Sequence, residues 1–559
     1  MLKKSIMCLA ALAVVALGAT SCKKDVNNEE NGMQFRAIME TGSAKTELSG
    51  TNVNWIAGDE VMIYGTEQSG VYTATPDAEN ATAATLTKVG QPAQGTPYTA
   101  IYPASAAVNA TTVTLPAVQQ SVDGNLANTF PMFAQSESAT LNFKNLCGVL
   151  KIHLEQEGAT VSRISVTANS KINGNFSVDN SGEAPAISYV EGGNFTTTLI
   201  CSEPQNITNG KDFYIYMPAG EYSGLKIMIM NAGYGVEKNA PANATITIER
   251  SKYSTLSFGN VNMPVPPDDV NIWGLFSVSA TQQVWIASGN LQFKKSTTET
   301  FEGADGVSHY GEWRMAEHQY DFCGYLQNST NTVCQGNVED GNNFQSGTKW
   351  VDIYGWGTSG YTNYLPVPRV DNRSDSYDPN SDPLYSDVIN ITNTNYDWGE
   401  YIYGDGWRTW TYAEWTYLSN QDANNKRRSR TAGATVCGVK GAVLLPDLWN
   451  GPTVNIASAY TSNTYDEDAW AEMESFGAAF LPVTGSTDGA NYVVNQDNAD
   501  KGYYWTSGNG ELVYNTHSNV PKRTVATATV STTGLNIGRR QHTGWAAVRL
   551  IKNYVPSAE

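Results

Sequence analysis

A long segment in the second half of the chain combines residue types that often contact ligands. Residues 361–406 interleave tyrosine with aspartate and asparagine. Tyrosine offers a flat amphipathic ring, and aspartate and asparagine offer directional hydrogen bonds. Loops longer than about 15 residues are usually functional or disordered. We therefore expect ligand contacts from Tyr377, Asp378, Asp382 and Tyr385, and a solvated cover loop is the alternative.

Other chemistry is sparse in the sequence. The histidines show neither an HExxH motif nor paired ligand spacing, and there is no GxSxG motif and no phosphate loop. Carboxylates are plentiful, but the sequence does not single out a hydrolytic pair. The cysteines beyond Cys8 and Cys22 are odd in number and lack CxxC spacing, so buried free thiols are expected: Cys147, Cys201, Cys323, Cys334 and Cys437. We expect no metal site, no cofactor and no enzymatic activity.

The segment WRTWTYAEWTYLSN, residues 407–420, raises the question of a sugar-stacking surface. Thr411 and Glu414 have the spacing of a capping box, in which each side chain accepts the backbone N–H of the other residue. Trp410 and Trp415 then occupy the two positions that pack as a hydrophobic staple at a helix N-terminus. The spacing therefore predicts a helix whose tryptophans belong to the core.

The N-terminus has the pattern of an export signal. Two lysines precede an apolar stretch from Ile6 to Gly18, and small residues then lead to Cys22. The ending Ala-Thr-Ser-Cys resembles a bacterial lipobox, in which the cysteine is diacylated and becomes the first mature residue. We expect a signal peptide at residues 1–21 and a lipidated, polar tether at 22–34, with simple cleavage as the alternative.

Length and charge limit the classes of protein that fit. A chain of 559 residues is too long for one core, so several domains are expected. The net charge of −19 argues against nucleic acid as a partner, because phosphate binding needs clustered lysine and arginine. No apolar run of 18 or more residues follows the N-terminal segment, so no transmembrane helix is expected there.

From about residue 35 to 265 apolar residues alternate with polar ones, as in FYIYMPAG, LKIMIMN and ATITIER. Glycine, asparagine and proline separate these runs, which is typical of β-sandwiches with short strands. In TLNFKNLCGVLKIHLE the apolar positions change from odd to even numbers. This change indicates a bulge or a domain crossing near Asn145–Gly148. We place one β-domain at residues 35–145 and a second at 146–263.

Three motif blocks in this region resemble the fimbrillin (Mfa-like) family of Gram-negative anaerobes. They are Trp55-x-x-Gly58-Asp59, Asn145-Leu146-x-Gly148 and Pro218-x-Gly220-x-Tyr222, and they fall in the family's order over roughly residues 33–260. The resemblance implies two transthyretin-like β-sandwiches and a role in surface fimbriae. It also implies assembly with other fimbrial subunits by donor-strand exchange.

The resemblance further implies that an N-terminal strand is trimmed after an arginine. Arg36 is the only arginine between Cys22 and Arg163, so it is the expected cleavage position. It falls within an apparent strand, and an uncleaved subunit is the alternative.

A proline-rich linker at residues 264–270 precedes a region of different texture. Residues 271–559 are rich in aromatic residues and glycine and contain a second helical pattern, DEDAWAEMESFG, that ends at Gly477. Segments such as GNLQF, GWGTSG, NYDWG and YYWTSG resemble the C-type-lectin-like modules of bacterial surface proteins, in the branch related to the formylglycine-generating enzymes and sulfatase-modifying factors. The resemblance implies an α+β domain with a ligand-binding loop face, in which Tyr396–Gly399 is structural.

The module departs from its relatives in the residues that carry chemistry. Calcium-dependent lectins use Glu-Pro-Asn or Gln-Pro-Asp together with Trp-Asn-Asp, whereas here Trp449-Asn450 is followed by Gly451. The enzymes use a late pair of cysteines, and the second half of this module has only Cys437. The resemblance therefore supports neither a calcium-bridged sugar site nor catalysis.

We interpret the sequence as a mainly β, lipid-anchored fimbrial protein of the outer membrane and cell surface. Its C-terminal module is expected to bind a glycan or a surface protein. The alternatives are a stand-alone glycan-binding lipoprotein and an enzyme on the same fold. The last strand-like run, AAVRLI, is followed by KNYVPSAE, which alternates poorly and contains proline. We therefore expect a tip subunit that accepts a strand and does not donate one.

Overall fold

The structure of this chain is a computed structural model that describes most of its residues. The described residues are 33–40, 54–123, 125–126, 130–240, 244–266, 272–294, 296–323, 334–335, 350–361, 390–419, 430–449, 451–456, 459–484, 486–488, 491–493, 501–508, 511–514, 521–532, 534–541 and 546–556. They are mainly β, as the sequence predicts. Among them, no helix combines the length and the apolar character needed to cross a membrane.

Short strands separated by tight turns make up the first half of the chain. In chain order they are β1 Phe35–Met39, β2 Glu60–Tyr64, β3 Ser69–Pro76, β4 Ala83–Val89, β5 Tyr98–Tyr102, β6 Ala107–Asn109, β7 Thr112–Leu115, β8 Val118–Val122, β9 Asn125–Leu126, β10 Met132–Ser136, β11 Thr140–Asn145, β12 Cys147–Glu155, β13 Thr160–Thr167, β14 Gly174–Asp179, β15 Ala186–Glu191, β16 Thr196–Asn206, β17 Lys211–Pro218, β18 Gly220–Ser223, β19 Lys226–Asn231, β20 Tyr234–Asn239, β21 Thr245–Ile248 and β22 Tyr253–Asn260.

The second half combines short strands with helices. The strands are β23 Ile272–Ser277, β24 Gln283–Ala287, β25 Leu291–Lys294, β26 Thr300–Glu302, β27 Ser308–Tyr310, β28 Glu312–Met315, β29 Phe322–Cys323, β30 Cys334–Gln335, β31 Trp350–Val351, β32 Ile353–Tyr354, β33 Trp407–Thr409, β34 Thr431–Val436, β35 Val439–Leu444, β36 Thr464–Tyr465, β37 Ala479–Pro482, β38 Ser486–Asp488, β39 Asn491–Val493, β40 Gly502–Trp505, β41 Glu511–Tyr514, β42 Pro521–Ser531, β43 Gly534–Gln541, β44 Ala546–Ala547 and β45 Leu550–Asn553. The α-helices are Trp398–Ile402, Tyr412–Ser419 and Glu467–Ser475, and 3-10 helices lie at Ala104–Ala106 and Tyr460–Ser462.

The first unit is a closed barrel with the strand order β1-β11-β10-β5-β2-β3-β4. Strand β1 lies between β11, to which it is parallel, and β4, to which it is antiparallel. The inward residues form one core, in which the ring of Trp55 contacts Tyr102 and Phe143 edge-on. The alternating apolar residues of these strands therefore line a single interior.

Strands β6 to β9 leave the barrel between β5 and β10 and pair with the second unit. Strand β7 is antiparallel to β14, and β8 is parallel to β16. Strands β6 and β7 therefore join the sheet of β14 and β15, and strands β8 and β9 join the sheet of β13, β16, β19 and β20. The two β-units are interwoven through this exchange.

The change in apolar parity near Asn145–Gly148 is a domain crossing. Leu141 and Phe143 of β11 belong to the core of the barrel, whereas Leu150 and Ile152 of β12 belong to the core of the second unit. That second core lies between the sheet β17-β12-β22 and the sheet β20-β19-β13-β16-β8-β9. The consecutive strands β11 and β12 thus contribute side chains to two different cores.

A half-buried ion pair stabilises this crossing. The Arg250 guanidinium donates to both carboxylate oxygens of Glu40, at 2.6 and 2.9 Å, and to the carbonyl of Asn145 at 3.1 Å. The backbone N–H of Asn145 and the hydroxyl of Ser251 also donate to Glu40, each at 3.1 Å. Burial acts to raise the pKa of Glu40, but the bonds from Arg250 bring it below its usual value. We call these four residues the junction clasp.

The C-terminal unit is an α+β module whose predicted tryptophan helix is present. Thr411 and Glu414 form the capping box, with N–H to side-chain distances of 2.8 and 3.2 Å. Trp410 and Trp415 are fully buried and stacked, with ring centroids 4.0 Å apart. Both tryptophans are therefore core residues, as predicted, and do not form a sugar platform.

The C-terminal module packs directly against the second β-unit. Gly233 and Gly477 approach so closely that a Cβ built on Gly477 would lie 1.9 Å from the Cα of Gly233. Beside them the guanidinium of Arg163 lies 3.5 Å from the ring centroid of Phe476, and burial lowers the pKa of Arg163 to about 10. Gly477 also ends its helix at a φ of 85°, so this glycine serves both a cap and a contact.

Candidate functional site

Most of the predicted site residues lie outside the described residues. This applies to Cys22 and to the four expected ligand contacts, Tyr377, Asp378, Asp382 and Tyr385. Their roles stay predictions. Arg36 and both ends of the long segment are described, and they give the geometry that follows.

Arg36 lies inside a strand whose two edges are both hydrogen-bonded. It pairs with Thr140 of β11 on one side and with Thr85 of β4 on the other. Its guanidinium forms a two-point ion pair with Asp77, with one N–O distance of 2.6 Å. The hydrogen bond from Arg36 lowers the pKa of Asp77 below its usual value. A protease that cuts after Arg36 would first have to open β1.

The two ends of the predicted ligand segment meet at an aromatic cluster. The ring of Tyr361 contacts Tyr396 and Tyr401 edge-on, with centroids 5.1 and 5.6 Å apart. The Tyr401 hydroxyl donates to Asp305 at 3.0 Å and lies 2.6 Å from Nε2 of His309. Burial raises the pKa of Tyr401 above its usual value. The cluster, which we call the loop base, joins Tyr361, Tyr396 and Tyr401 to the β26–β27 hairpin, whereas Asn390 forms a bridge with Gly508.

The segment Tyr396–Gly399 is structural, as predicted. The Trp398 side chain is fully buried and its Nε1 donates to the carbonyl of Thr358 at 3.1 Å. Asp397 caps the helix Trp398–Ile402. Its Oδ1 accepts the backbone N–H of Gly399 at 3.0 Å and both the N–H and the hydroxyl of Thr409 at 2.9 Å. Burial nevertheless raises the pKa of Asp397 to about 6.

This raised pKa predicts a pH-dependent stability. Between the unfolded pKa near 4 and the folded pKa of about 6, the folded state holds more protons on Asp397, so the free energy of unfolding falls as pH rises through this window. A shift of this size corresponds to about 3 kcal/mol. Replacing Asp397 by Asn should remove this part of the pH dependence in urea unfolding measured from pH 4 to 7.

The variant Asp466→Asn is the matched control for that measurement. Asp466 caps the helix Glu467–Ser475 through the N–H of Ala469, at an exposed position. It therefore reports the loss of a capping carboxylate without burial. If the stability profile of Asp397→Asn runs parallel to that of the unchanged protein, the assignment to Asp397 is wrong.

A buried polar network at the centre of the module resembles an active site in composition but has a structural role. Strand β37 is the end strand of the sheet β36-β34-β35-β37. Gln319 donates to the carbonyl of Ala478 at 3.0 Å and accepts the N–H of Phe480 at 2.7 Å. Arg549 donates to the carbonyl of Phe480 at 2.7 Å, and Tyr504 to that of Pro482 at 2.8 Å. Side chains thus satisfy the outer edge of β37 in place of a strand.

Arg549 extends this network to strand β24 and to the loop that follows it. The guanidinium is 1% exposed and donates to Asn290 at 3.2 Å and to the carbonyl of Ala287 at 3.0 Å. Burial lowers its pKa to about 10. Sequence reasoning missed Arg549 and Gln319, because arginine and glutamine are mostly exposed residues and no local motif marks them.

Two buried carboxylates lie near this network. An oxygen of Asp352 accepts the backbone N–H of Cys323 at 3.0 Å, and an oxygen of Asp321 accepts the N–H of His318 at 3.1 Å. Within the described part of the chain, no three His, Cys, Asp or Glu side chains are arranged to hold a metal ion. Cys147, Cys201 and Cys437 are free thiols.

Comparisons with known proteins return structural likenesses alone. No family model matches the sequence, and no curated protein matches it significantly. A protein of Bacteroides ovatus proposed to act in cell adhesion is similar at 11% identity, with 40% of this chain and 91% of that one covered and a TM-score of 0.28. A fimbrial protein of the same organism is similar at 10% identity over 94% of this chain and 100% of that one, with a TM-score of 0.21.

The tip fimbrial protein of Porphyromonas gingivalis, truncated at its C-terminus, is similar at 13% identity. The match covers 37% of this chain and 81% of that one, with a TM-score of 0.16. Scores of this size define no function for this chain. The fimbrillin resemblance of residues 33–260 therefore rests on the motif residues and on their places in the fold.

Proposed function

We propose that this protein is a fimbrial subunit or adhesin of the cell surface, anchored through Cys22. In this proposal the two interwoven β-units form the stalk and the C-terminal module carries the ligand site. The observation that carries the proposal is that each of the three fimbrillin-like motif blocks contributes a buried side chain to the β-units: Trp55, Leu146 and Tyr222. Chance matches would be expected to scatter over the surface instead.

Each motif residue has a local physical reason. Trp55 fills the barrel core, Gly58 takes a φ of 93°, and the Asp59 carboxylate accepts the N–H of Ile56 at 2.8 Å. A Cβ on Gly148 would lie 2.1 Å from the carbonyl oxygen of Glu249, so the crossing requires glycine. The hydroxyl of buried Tyr222 donates to the carbonyl of Pro218 at 2.8 Å.

In this proposal the protein sits at the tip of a fibre. Strand β45 is bonded on one edge to β24 and on the other to β33, so it is not available for donation to a neighbour. Assembly would then rely on a strand accepted from another subunit. Because β1 is bonded on both edges, acceptance after a cut at Arg36 requires β1 to open, and an uncleaved subunit is the alternative.

Immunogold labelling of sheared fibres with antibodies against residues 270–559 tests the tip assignment. Label at one fibre end is expected, whereas label along the shaft would contradict the tip and label only on the cell body would favour the stand-alone lipoprotein. A Cys22→Ala variant is the control for anchoring, because it should partition into the aqueous phase instead of detergent.

Ligand binding is assigned to the segment of residues 361–406, which also supplies the tyrosines of the loop base. Changing Tyr377 and Tyr385 together to Ala should weaken binding in a screen of glycans and surface proteins, while stability changes by less than about 0.5 kcal/mol. Tyr189→Ala, at an exposed tyrosine of the second β-unit, is the matched control. A large loss of stability in the double variant would show that these tyrosines belong to the core.

A further inference from the structure

Two cysteines of the C-terminal module lie opposite each other on neighbouring strands. Strands β29 and β30 are antiparallel, and their register places Cys323 directly opposite Cys334. Opposed residues of an antiparallel pair have Cα atoms about 5.5 Å apart where they exchange hydrogen bonds and about 4.5 Å apart where they do not. Disulfides join cysteines whose Cα atoms are about 4.4–6.8 Å apart. The backbone pairing therefore brings these two residues within the reach of a disulfide.

A hydrogen bond of Cys323 shows which kind of opposed pair this is. The backbone N–H of Cys323 donates to Oδ2 of Asp352 at 3.0 Å. In a hydrogen-bonded pair this N–H would instead donate to the carbonyl of the opposed residue. The pair of Cys323 with Cys334 is therefore of the closer, non-hydrogen-bonded kind, which suits the short Cβ separation of a disulfide.

The surroundings of Cys323 would protect such a bond. Its side chain is 4% exposed and shares a small core cluster with Trp350. The amide Nε2 of Gln292 lies 3.7 Å from its Sγ atom. Reduction of a disulfide requires that a thiolate reach one of the sulfur atoms, so a disulfide at Cys323 would be shielded from thiols in solution.

The remaining cysteines occupy different places in the fold. Cys147 is opposite Pro218 in the pairing of β12 with β17, and Cys201 is opposite Ser121 in the pairing of β16 with β8. Cys437 lies in the turn between β34 and β35. We expect these three residues to stay thiols, which accounts for the odd number of cysteines.

We propose that Cys323 and Cys334 form a disulfide once the chain has been exported. This departs from the free thiols that the sequence predicts at both positions. The two thiols lose two protons and two electrons, and the oxidant is a second disulfide, such as that of an exported oxidoreductase, which is reduced to two thiols. Disulfides persist in the oxidising compartments outside the cytoplasm. The proposal rests on export and not on the proposed adhesive function.

Peptide mapping tests the proposal on the full mature chain with Cys22→Ser. A heterologous signal peptide directs this chain to an oxidising periplasm, so the result does not depend on the native N-terminus. The protein is unfolded and alkylated without reductant. Trypsin then releases residues 315–349, whose cysteines are Cys323 and Cys334 alone. This peptide should lack alkyl groups and weigh less than its reduced form by the mass of two hydrogen atoms.

A second protease identifies the bond. Chymotrypsin cuts after Tyr325, between the two cysteines, so the resulting peptides should stay joined until a reductant is added. Cys334→Ser should make Cys323 available for alkylation in the unfolded protein. It should also lower the urea midpoint of the module, because a disulfide restricts the unfolded chain. Reduction of the unchanged protein should give the same lower midpoint.

Cys437→Ser is the matched control, because it removes a cysteine of the same module outside the proposed pair. It should leave residues 315–349 oxidised and the urea midpoint unchanged. Alkylation of both Cys323 and Cys334 without reductant would overturn the proposal, as would a bond from either residue to Cys437 or to a second chain. These measurements need neither fibres nor a ligand, so their failure is distinct from a failure of the adhesive function.

Discussion

Replacing Arg549 by Met should lower the free energy of unfolding of the C-terminal module by about 3–5 kcal/mol, the range observed when a buried charged network loses one partner. The methionine fills most of the volume, but the carbonyls of Ala287 and Phe480 lose their buried donor. Each unsatisfied buried group costs about 1–3 kcal/mol. Urea unfolding followed by tryptophan fluorescence measures the loss.

Arg430→Met is the matched control for this variant. Arg430 forms an ion pair with Asp447, but its side chain is 32% exposed. Partly exposed ion pairs contribute about 0–1 kcal/mol, so the control should change stability little. If Arg549→Met and Arg430→Met lowered the free energy of unfolding equally, the buried network of Arg549 would have no special part in the stability of the module.

A second large effect on stability is expected when the second β-unit is separated from strands β6 to β9, which come from the first half of the chain. A fragment of residues 146–263 should not fold, because β14 and β16 lose their partners β7 and β8. The same fragment with residues 107–126 joined through a flexible linker should recover a cooperative unfolding transition. Circular dichroism and thermal unfolding compare the two fragments.

A third fragment controls for the effect of length. It carries residues 69–89, which form β3 and β4 of the barrel, in place of residues 107–126. This fragment should stay unfolded, because those strands pair within the barrel. If residues 146–263 fold alone, the exchange of strands is not needed for stability.

Local patterns in the sequence predicted local structure well. The capping box at Thr411 and Glu414 and the buried tryptophans beside it follow from spacing along one helix. The parity change near Asn145–Gly148 likewise predicted a bulge or a domain crossing, because alternation fixes which side of a strand faces a core, and the structure shows the crossing. Each of these inferences needs information from a few consecutive residues.

Partners distant in sequence could not be predicted in this way. The run TVTLPAVQQSV alternates as other strands do, and alternation does not say which sheet a strand joins. The pairing of Gln119 with Tyr216 joins residues 97 positions apart, and no local signal marks it. For the candidate ligand site, the sequence predicted a segment, and the structure adds the loop base, in which Tyr361 packs against Tyr396 and Tyr401.

The parallel strand pairs determine how this molecule would carry a mechanical load. A pull between the segment that precedes β1 and the C-terminal module enters the barrel at the start of β1 and leaves it at the end of β11, and these two strands are parallel neighbours. It then enters the second unit at the start of β12 and leaves at the end of β22, which are again parallel neighbours. In both units the hydrogen bonds are evenly spaced across the direction of pull and are loaded together in shear. Both units should therefore resist tension along the chain far better than a hairpin that unzips one bond at a time.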